Sequence, residues 1–80
     1  MKTKINDYII ADSEICHGKP TFKGTRVLVS DIIELVAAGW SDKKIITQYP
    51  GLNREMIQGA LEYAARVIRR EHYVRFKVPA

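Results

Sequence analysis

The sequence predicts a mainly α fold: an N-terminal β-hairpin, then a three-helix bundle of the helix-turn-helix kind, then a C-terminal extended tail. Three observations carry this reading. Ser41 to Ile68 reads as a short helix, a tight turn at Tyr49-Pro50-Gly51-Leu52 and a longer helix, the arrangement that holds a second helix out where it can enter a DNA major groove. Two β-branched or apolar runs, Tyr8-Ile9-Ile10-Ala11 and Val27-Leu28-Val29, flank a segment rich in Gly, Pro, Thr and Lys, as strands flank a loop. From Tyr73 to Val78 apolar and polar side chains alternate, which is the period of a strand. The chain is one domain, with a hairpin and loop over 1–29, a helical core over 30–70 and a tail over 71–80.

The loop from Asp12 to Arg26 connects the two expected strands, which pair antiparallel. Gly18 and Gly24 supply backbone freedom there and Pro20 removes it. The first helix is expected to start at Ser30, whose hydroxyl can accept from the free amides of the first turn. Asp31 and Glu34 suit the positive end of its dipole. Ile32, Ile33, Val36 and Ala37 form its buried face, and Gly39 is the natural stop. Trp40 then packs back over the helix end. Ser41 caps the second helix, Ile45 and Ile46 face inward, and Pro50 ends it. Asn53 caps the third helix, expected from Arg54 to about Arg70, with Ile57, Ala60, Leu61, Ala64 and Ile68 along one side. That stripe faces the chain's own core or a sister subunit. Arg66, Arg69 and Arg70 complement its negative end.

Eighty residues hold a small core, and a domain of this size is marginal without a staple. One cysteine forms no internal disulfide, and one cysteine with two histidines makes no obvious zinc cage. No cofactor or metal is expected. Association remains as the staple, so a homodimer or a partner protein is expected. A formal charge of +4 and a pI near 9.4 favour an acidic partner, mildly. No apolar run approaches the roughly 20 residues of a membrane span, and Met1 to Asp7 lacks the apolar core of a signal peptide. A cytoplasmic, reducing compartment suits a lone thiol.

Binding rather than catalysis is expected. In a helix-turn-helix the first residues of the second helix reach base edges. These are Asn53, Arg54, Glu55 and Gln58, with Gly59 and Glu62 one turn on. Arg grips guanine and Gln adenine in bidentate fashion. Lys43, Lys44 and Thr47 on the preceding helix stand where phosphates would lie, although Glu55 and Glu62 oppose a polyanion. The competing reading is a solvated helix face of a trihelical protein-interaction module. Lys19, Lys23 and Arg26 with two glycines resemble a phosphate cradle, but the spacing is not that of a Walker loop; solvated side chains on a structural hairpin tip are the alternative. Cys16-His17 is a poor nucleophile and base, because neighbours in an extended segment point to opposite faces. Cys16 is expected as a small buried hydrophobe, His72 as a surface or interface residue.

Five motifs together are specific: Ile15-Cys16-His17-Gly18-Lys19-Pro20, Phe22-Lys23-Gly24-Thr25-Arg26-Val27, Ala37-Ala38-Gly39-Trp40-Ser41, Tyr49-Pro50-Gly51-Leu52 and Ala60-Leu61-Glu62-Tyr63-Ala64. On these the segment from Ile9 to Ala65 resembles the small prokaryotic family known as domain of unknown function 433. That family commonly has Gly where this chain has His17, a departure that bears on loop shape. The resemblance implies a homeodomain-like trihelical fold after an N-terminal hairpin. It also implies an antitoxin encoded beside a PIN-like nuclease toxin, which it neutralises while binding the operator of their shared operon.

PIN-type nucleases gather carboxylates around divalent metal. Within the resemblance, the tail supplies Arg75 or Lys77 to those carboxylates, with Val74, Phe76 and Val78 filling an apolar groove and Tyr73 beside them. A strand pairing inside an antitoxin dimer is the alternative for the same residues.

Overall fold

A computed structural model of the chain describes residues 1–72. The tail expected over Tyr73–Val78 lies outside the described residues. Three short strands form one antiparallel sheet in the order β1 (Lys2–Lys4), β2 (Ile9–Asp12), β3 (Pro20–Phe22). Three helices follow: α1 (Val29–Ala37), α2 (Asp42–Gln48) and α3 (Arg54–His72).

The sheet differs from the expected hairpin in both partners of β2. On one side lies β1, with Lys4 opposite Ile10 and Lys2 opposite Asp12. It is exposed along its length, and its lysines suit an edge that must not recruit further strands. On the other side Phe22 pairs with Ile9 and Thr21 with Ile10, so the partner strand sits inside the segment read as loop. Val27-Leu28-Val29 contributes only one bridge, Leu28 to Thr21. The reason is the competing helical period: Val29 and Ile32 are both buried, and Val29 opens α1. The turn before it is tied by Thr25, whose hydroxyl donates to the Phe22 carbonyl at 2.8 Å and accepts from the Val27 amide at 3.0 Å.

Helix α1 therefore begins one residue before the expected Ser30 cap. Its N-cap is Leu28, with no side-chain hydrogen bond. Its end follows the expectation. Gly39 has φ +93°; its amide donates to the Val36 carbonyl at 3.0 Å, and that of Trp40 to Leu35 at 3.0 Å. This pair of bonds closes a helix through a left-handed glycine. Trp40 packs against the core. The other two caps form as read: the Lys44 amide donates to Ser41 Oγ at 3.1 Å, and the Met56 amide to Asn53 Oδ1 at 2.8 Å.

The core lies where the three helices meet the inner face of the sheet. Ile9, Phe22, Val29, Ile32, Ile45, Leu52, Ile57 and Ala60 are buried together. Each large side chain there contributes about 1.5–3 kcal/mol. Ile10 and Thr21 are cross-strand partners on the other face and are also buried; a single 3-10 turn at Cys16–Gly18 packs against β2. The sheet meets α3 at Gly59, where Asn6 Nδ2 donates to the glycine carbonyl at 3.3 Å. No helix among the described residues is long and apolar enough to cross a membrane.

Candidate functional site

Helices α2 and α3 meet at a five-residue turn, Tyr49 to Asn53. The Tyr49 amide donates back to Ile45 at 2.8 Å and that of Leu52 to Tyr49 at 2.9 Å. Leu52 plunges into the core, which pins the turn and fixes where α3 starts. The outcome is an open groove of about 600 Å³ lined by Ser41, Asp42, Lys43, Ile46, Thr47 and Arg54.

Three of the residues expected to meet DNA are thus brought to one wall-to-wall depression: Lys43, Thr47 and Arg54. Asn53 and Gln58 are exposed beside it, and Gln58 follows Arg54 by four residues on the same helical face. Arg54 is largely in solvent, its side chain 79% exposed, with Nε 3.5 Å from Asp42 Oδ2. The exposed pair is worth at most about 1 kcal/mol and places the guanidinium beside the Asp42 carboxylate. Asp42 was not among the sequence candidates. An acidic residue in the first turn of α2 was the available signal; only the turn geometry shows that it faces Arg54.

The other expected contacts are not all at this groove. Lys44 lies over Trp40, its Nζ 4.2 Å from the ring centroid, a cation–π placement that draws it toward the indole. Thr47 donates its hydroxyl to the Lys43 carbonyl at 2.8 Å, so its oxygen is left only as an acceptor. Gly59 does not share the exposed face with Gln58. It is buried against the Tyr8 ring. Lys23 and Arg26 are exposed on the segment between β3 and α1, and Lys19 lines a different groove. Neither of these two grooves is lined by Lys23 or Arg26.

Cys16 and His17 are not in an extended segment. Both take positive φ, 50° and 58°, in the 3-10 turn. Residue 17 thus occupies a backbone region where glycine is unstrained. Cys16 is half-buried rather than buried, and its Sγ lies 3.6 Å from the Arg26 carbonyl. Among the described residues no three His, Cys, Asp or Glu side chains are grouped to hold a metal ion.

The expected apolar side of α3 divides along its length. Ile57 and Ala60 are in the core, Leu61 and Ala64 are half-buried, and Ile68 is 55% exposed. Beyond Ala60 the stripe forms one wall of a second groove, of about 420 Å³. Lys19, Pro20, Val29, Ser30 and Ile33 line it together with Tyr63, Ala64, Val67 and Ile68.

The uncharacterized protein y4eO of Sinorhizobium fredii (strain NBRC 101917 / NGR234) is 36% identical over 58 residues, 72% of this chain but 26% of the relative. The chain thus spans about a quarter of the length of the curated relative it matches. No solved structure gives a significant match. The model of the family described as protein of unknown function (DUF433) matches residues 9–64, from β2 into the second half of α3, and the chain belongs to that family.

Proposed function

We propose that the protein is a DNA-binding antitoxin: α2 and α3 act as a homeodomain-like helix-turn-helix on the operator of its own operon, and a neighbouring PIN-like nuclease toxin is neutralised by direct binding. The observation that carries the DNA half is the groove at the α2–α3 turn, which gathers Lys43, Thr47 and Arg54 with Gln58 one turn along. Lys43 meets a phosphate. Arg54 and Gln58 read base edges from the first turns of α3. Nε of Arg54 is directed to Asp42, which leaves both terminal nitrogens for a guanine. The toxin half rests on the family resemblance and on the residues Tyr73 to Val78. A homodimer would present two such helices to a two-fold operator.

Fluorescence anisotropy of the full chain tests the DNA half, with duplex from upstream of its gene and a scrambled duplex of equal length. One phosphate contact per chain, hence two in the homodimer, predicts a loss of about tenfold in affinity between roughly 50 and 200 mM salt. Arg54→Ala should reduce the preference for the upstream duplex, and Lys43→Ala should weaken both duplexes alike. Absence of salt-dependent binding to either duplex overturns it. Copurification of the chain with the product of the adjacent gene, lost on removal of residues 73–80, tests the toxin half. The second groove favours a parallel reading, a protein-interaction module of trihelical fold, which predicts a protein complex and no DNA affinity.

A further inference from the structure

We propose that the groove between the start of α1 and the second half of α3 is a docking site for an apolar segment of another protein whose flanks carry carboxylates. The groove lies at the other end of α3 from Arg54 and stands whether or not that end reads DNA. Its walls are Pro20, Val29 and Ile33 on one side and Ala64, Val67 and Ile68 on the other. Its volume, about 420 Å³, falls in the range of sites that take a few apolar side chains. Helix α3 runs for 19 residues, about 28 Å; its fully buried core residues end at Ala60, and Leu61 and Tyr63 pack against them. The face that is buried in its first half continues past the body as Ala64, Val67 and Ile68. Ile68, more than half exposed among the described residues, extends that stripe into a contiguous apolar surface, the kind that marks an interaction site.

The charge around the groove selects the occupant. Lys19 lines it. Arg66 and Arg70 each follow a wall residue, Tyr63 and Val67, by three positions, and so stand at the rim of the α3 wall; both are exposed. Glu34 flanks the α1 wall and is exposed. Among the residues whose side chains are described, three cations stand against one carboxylate, and with Glu71 three positions after Ile68 the rim still carries more positive than negative charge, which favours an acidic visitor. A second copy of this chain would bring its own Arg66, Arg69 and Arg70 to the same rim. The chain's own last residues would bring Arg75 and Lys77. Both are disfavoured by like charge. An amphipathic helix laid in the groove with Asp or Glu beside its apolar stripe meets both requirements.

The test uses the isotope-labelled full chain and two synthetic helical peptides with the same leucine stripe, one flanked by glutamate and one by lysine. Chemical-shift mapping should show the glutamate peptide at Val29, Ile33, Ala64, Val67 and Ile68, with resonances at Arg54 and Gln58 unmoved. Ile68→Ser should weaken it about tenfold, the loss expected when a half-exposed isoleucine is no longer covered. Because that side chain is exposed, the variant should keep its melting temperature. The lysine peptide should bind at least about tenfold more weakly, and Arg66→Glu with Arg70→Glu should reverse the preference. Equal binding of the two peptides, or binding of neither, overturns the proposal. So does a dimer that Ile68→Ser splits, which makes a second copy the occupant. Glutamate-peptide binding that appears only after removal of residues 73–80 assigns the groove to the chain's own tail and overturns it as well.

Discussion

Gly59→Ala tests the contact between sheet and helix, and its sign is the informative result. In the middle of a helix the replacement ordinarily stabilises by about 0.8–1 kcal/mol. Here a Cβ at position 59 lies 2.6 Å from Cδ2 of Tyr8 and 3.4 Å from both Cγ and Cε2. Carbon atoms sit best at about 3.5–4.0 Å, so ring or helix must yield by about 1 Å. The ring is packed against the core, and its backbone is held from both sides. The Tyr8 amide donates to Asn6 Oδ1 at 2.8 Å, and the Tyr8 carbonyl accepts from the Lys23 amide at 2.8 Å. Moving the helix instead strains the Asn6–Gly59 hydrogen bond. Overpacking of this kind costs about 1–3 kcal/mol. Net of the helix gain, the variant should lose about 1 kcal/mol, and for a chain of this size the melting temperature should drop by about 4–8 °C. In a Tyr8→Ala background the obstacle is gone, and the same change should stabilise by up to about 1 kcal/mol. Thermal melts of the four proteins give the coupling, about 2 kcal/mol. A Gly59→Ala variant more stable than the parent, or an effect of equal size in both backgrounds, refutes the close approach.

Four further outcomes are expected. Thr21→Val should stabilise by about 1 kcal/mol in urea titrations, because Thr21 Oγ1 is buried with no hydrogen-bond partner among the described residues and an unmet hydroxyl costs about 1–3 kcal/mol; a loss of stability would show that the hydroxyl is satisfied. Asn53→Ala should cost about 1 kcal/mol through the lost cap of α3, read from the same titration. If α3 reads DNA, Asp42→Asn should raise affinity for scrambled duplex and reduce discrimination up to about fivefold, the scale of an exposed pair; unchanged discrimination would mean that Asp42 does not aim Arg54. Arg54→Ala and Ile68→Ser should act additively on stability, since about 21 Å of helix separates them.

What could be read in the sequence was what local chemistry decides. Ser41 and Asn53 sit one residue before their helices, and both caps form. Gly39 takes the left-handed conformation that ends α1. The sheet was harder because its pairing is decided at a distance. Lys2-Thr3-Lys4 has no apolar content to announce a strand; it pairs because β2 offers a free edge. Pro20-Thr21-Phe22 looked like loop because of its proline, yet Phe22 is wholly buried opposite Ile9. In Val27-Leu28-Val29 two periods overlapped. The helical one prevailed because it puts Val29 and Ile32 in the core together.

The same distinction runs through the candidate sites. Exposure of Arg54 and Gln58 follows from one turn and one stripe, both local, and was legible. The Asp42–Arg54 pair, the diversion of Lys44 to Trp40 and the burial of Gly59 under Tyr8 all depend on how separate elements meet, and no spacing rule announces them. The apolar side of α3 shows the limit most clearly. Period alone makes Ile57, Ala60, Leu61, Ala64 and Ile68 equivalent, one face to be buried. Among the described residues the body covers this side of the helix only part-way, so the first two close the core and the last is more than half exposed. One amphipathic pattern thereby serves two ends, folding at Ile57 and an open surface at Ile68. Where the change occurs is set by the thickness of what packs against the helix, a property of the whole fold that the stripe itself does not encode.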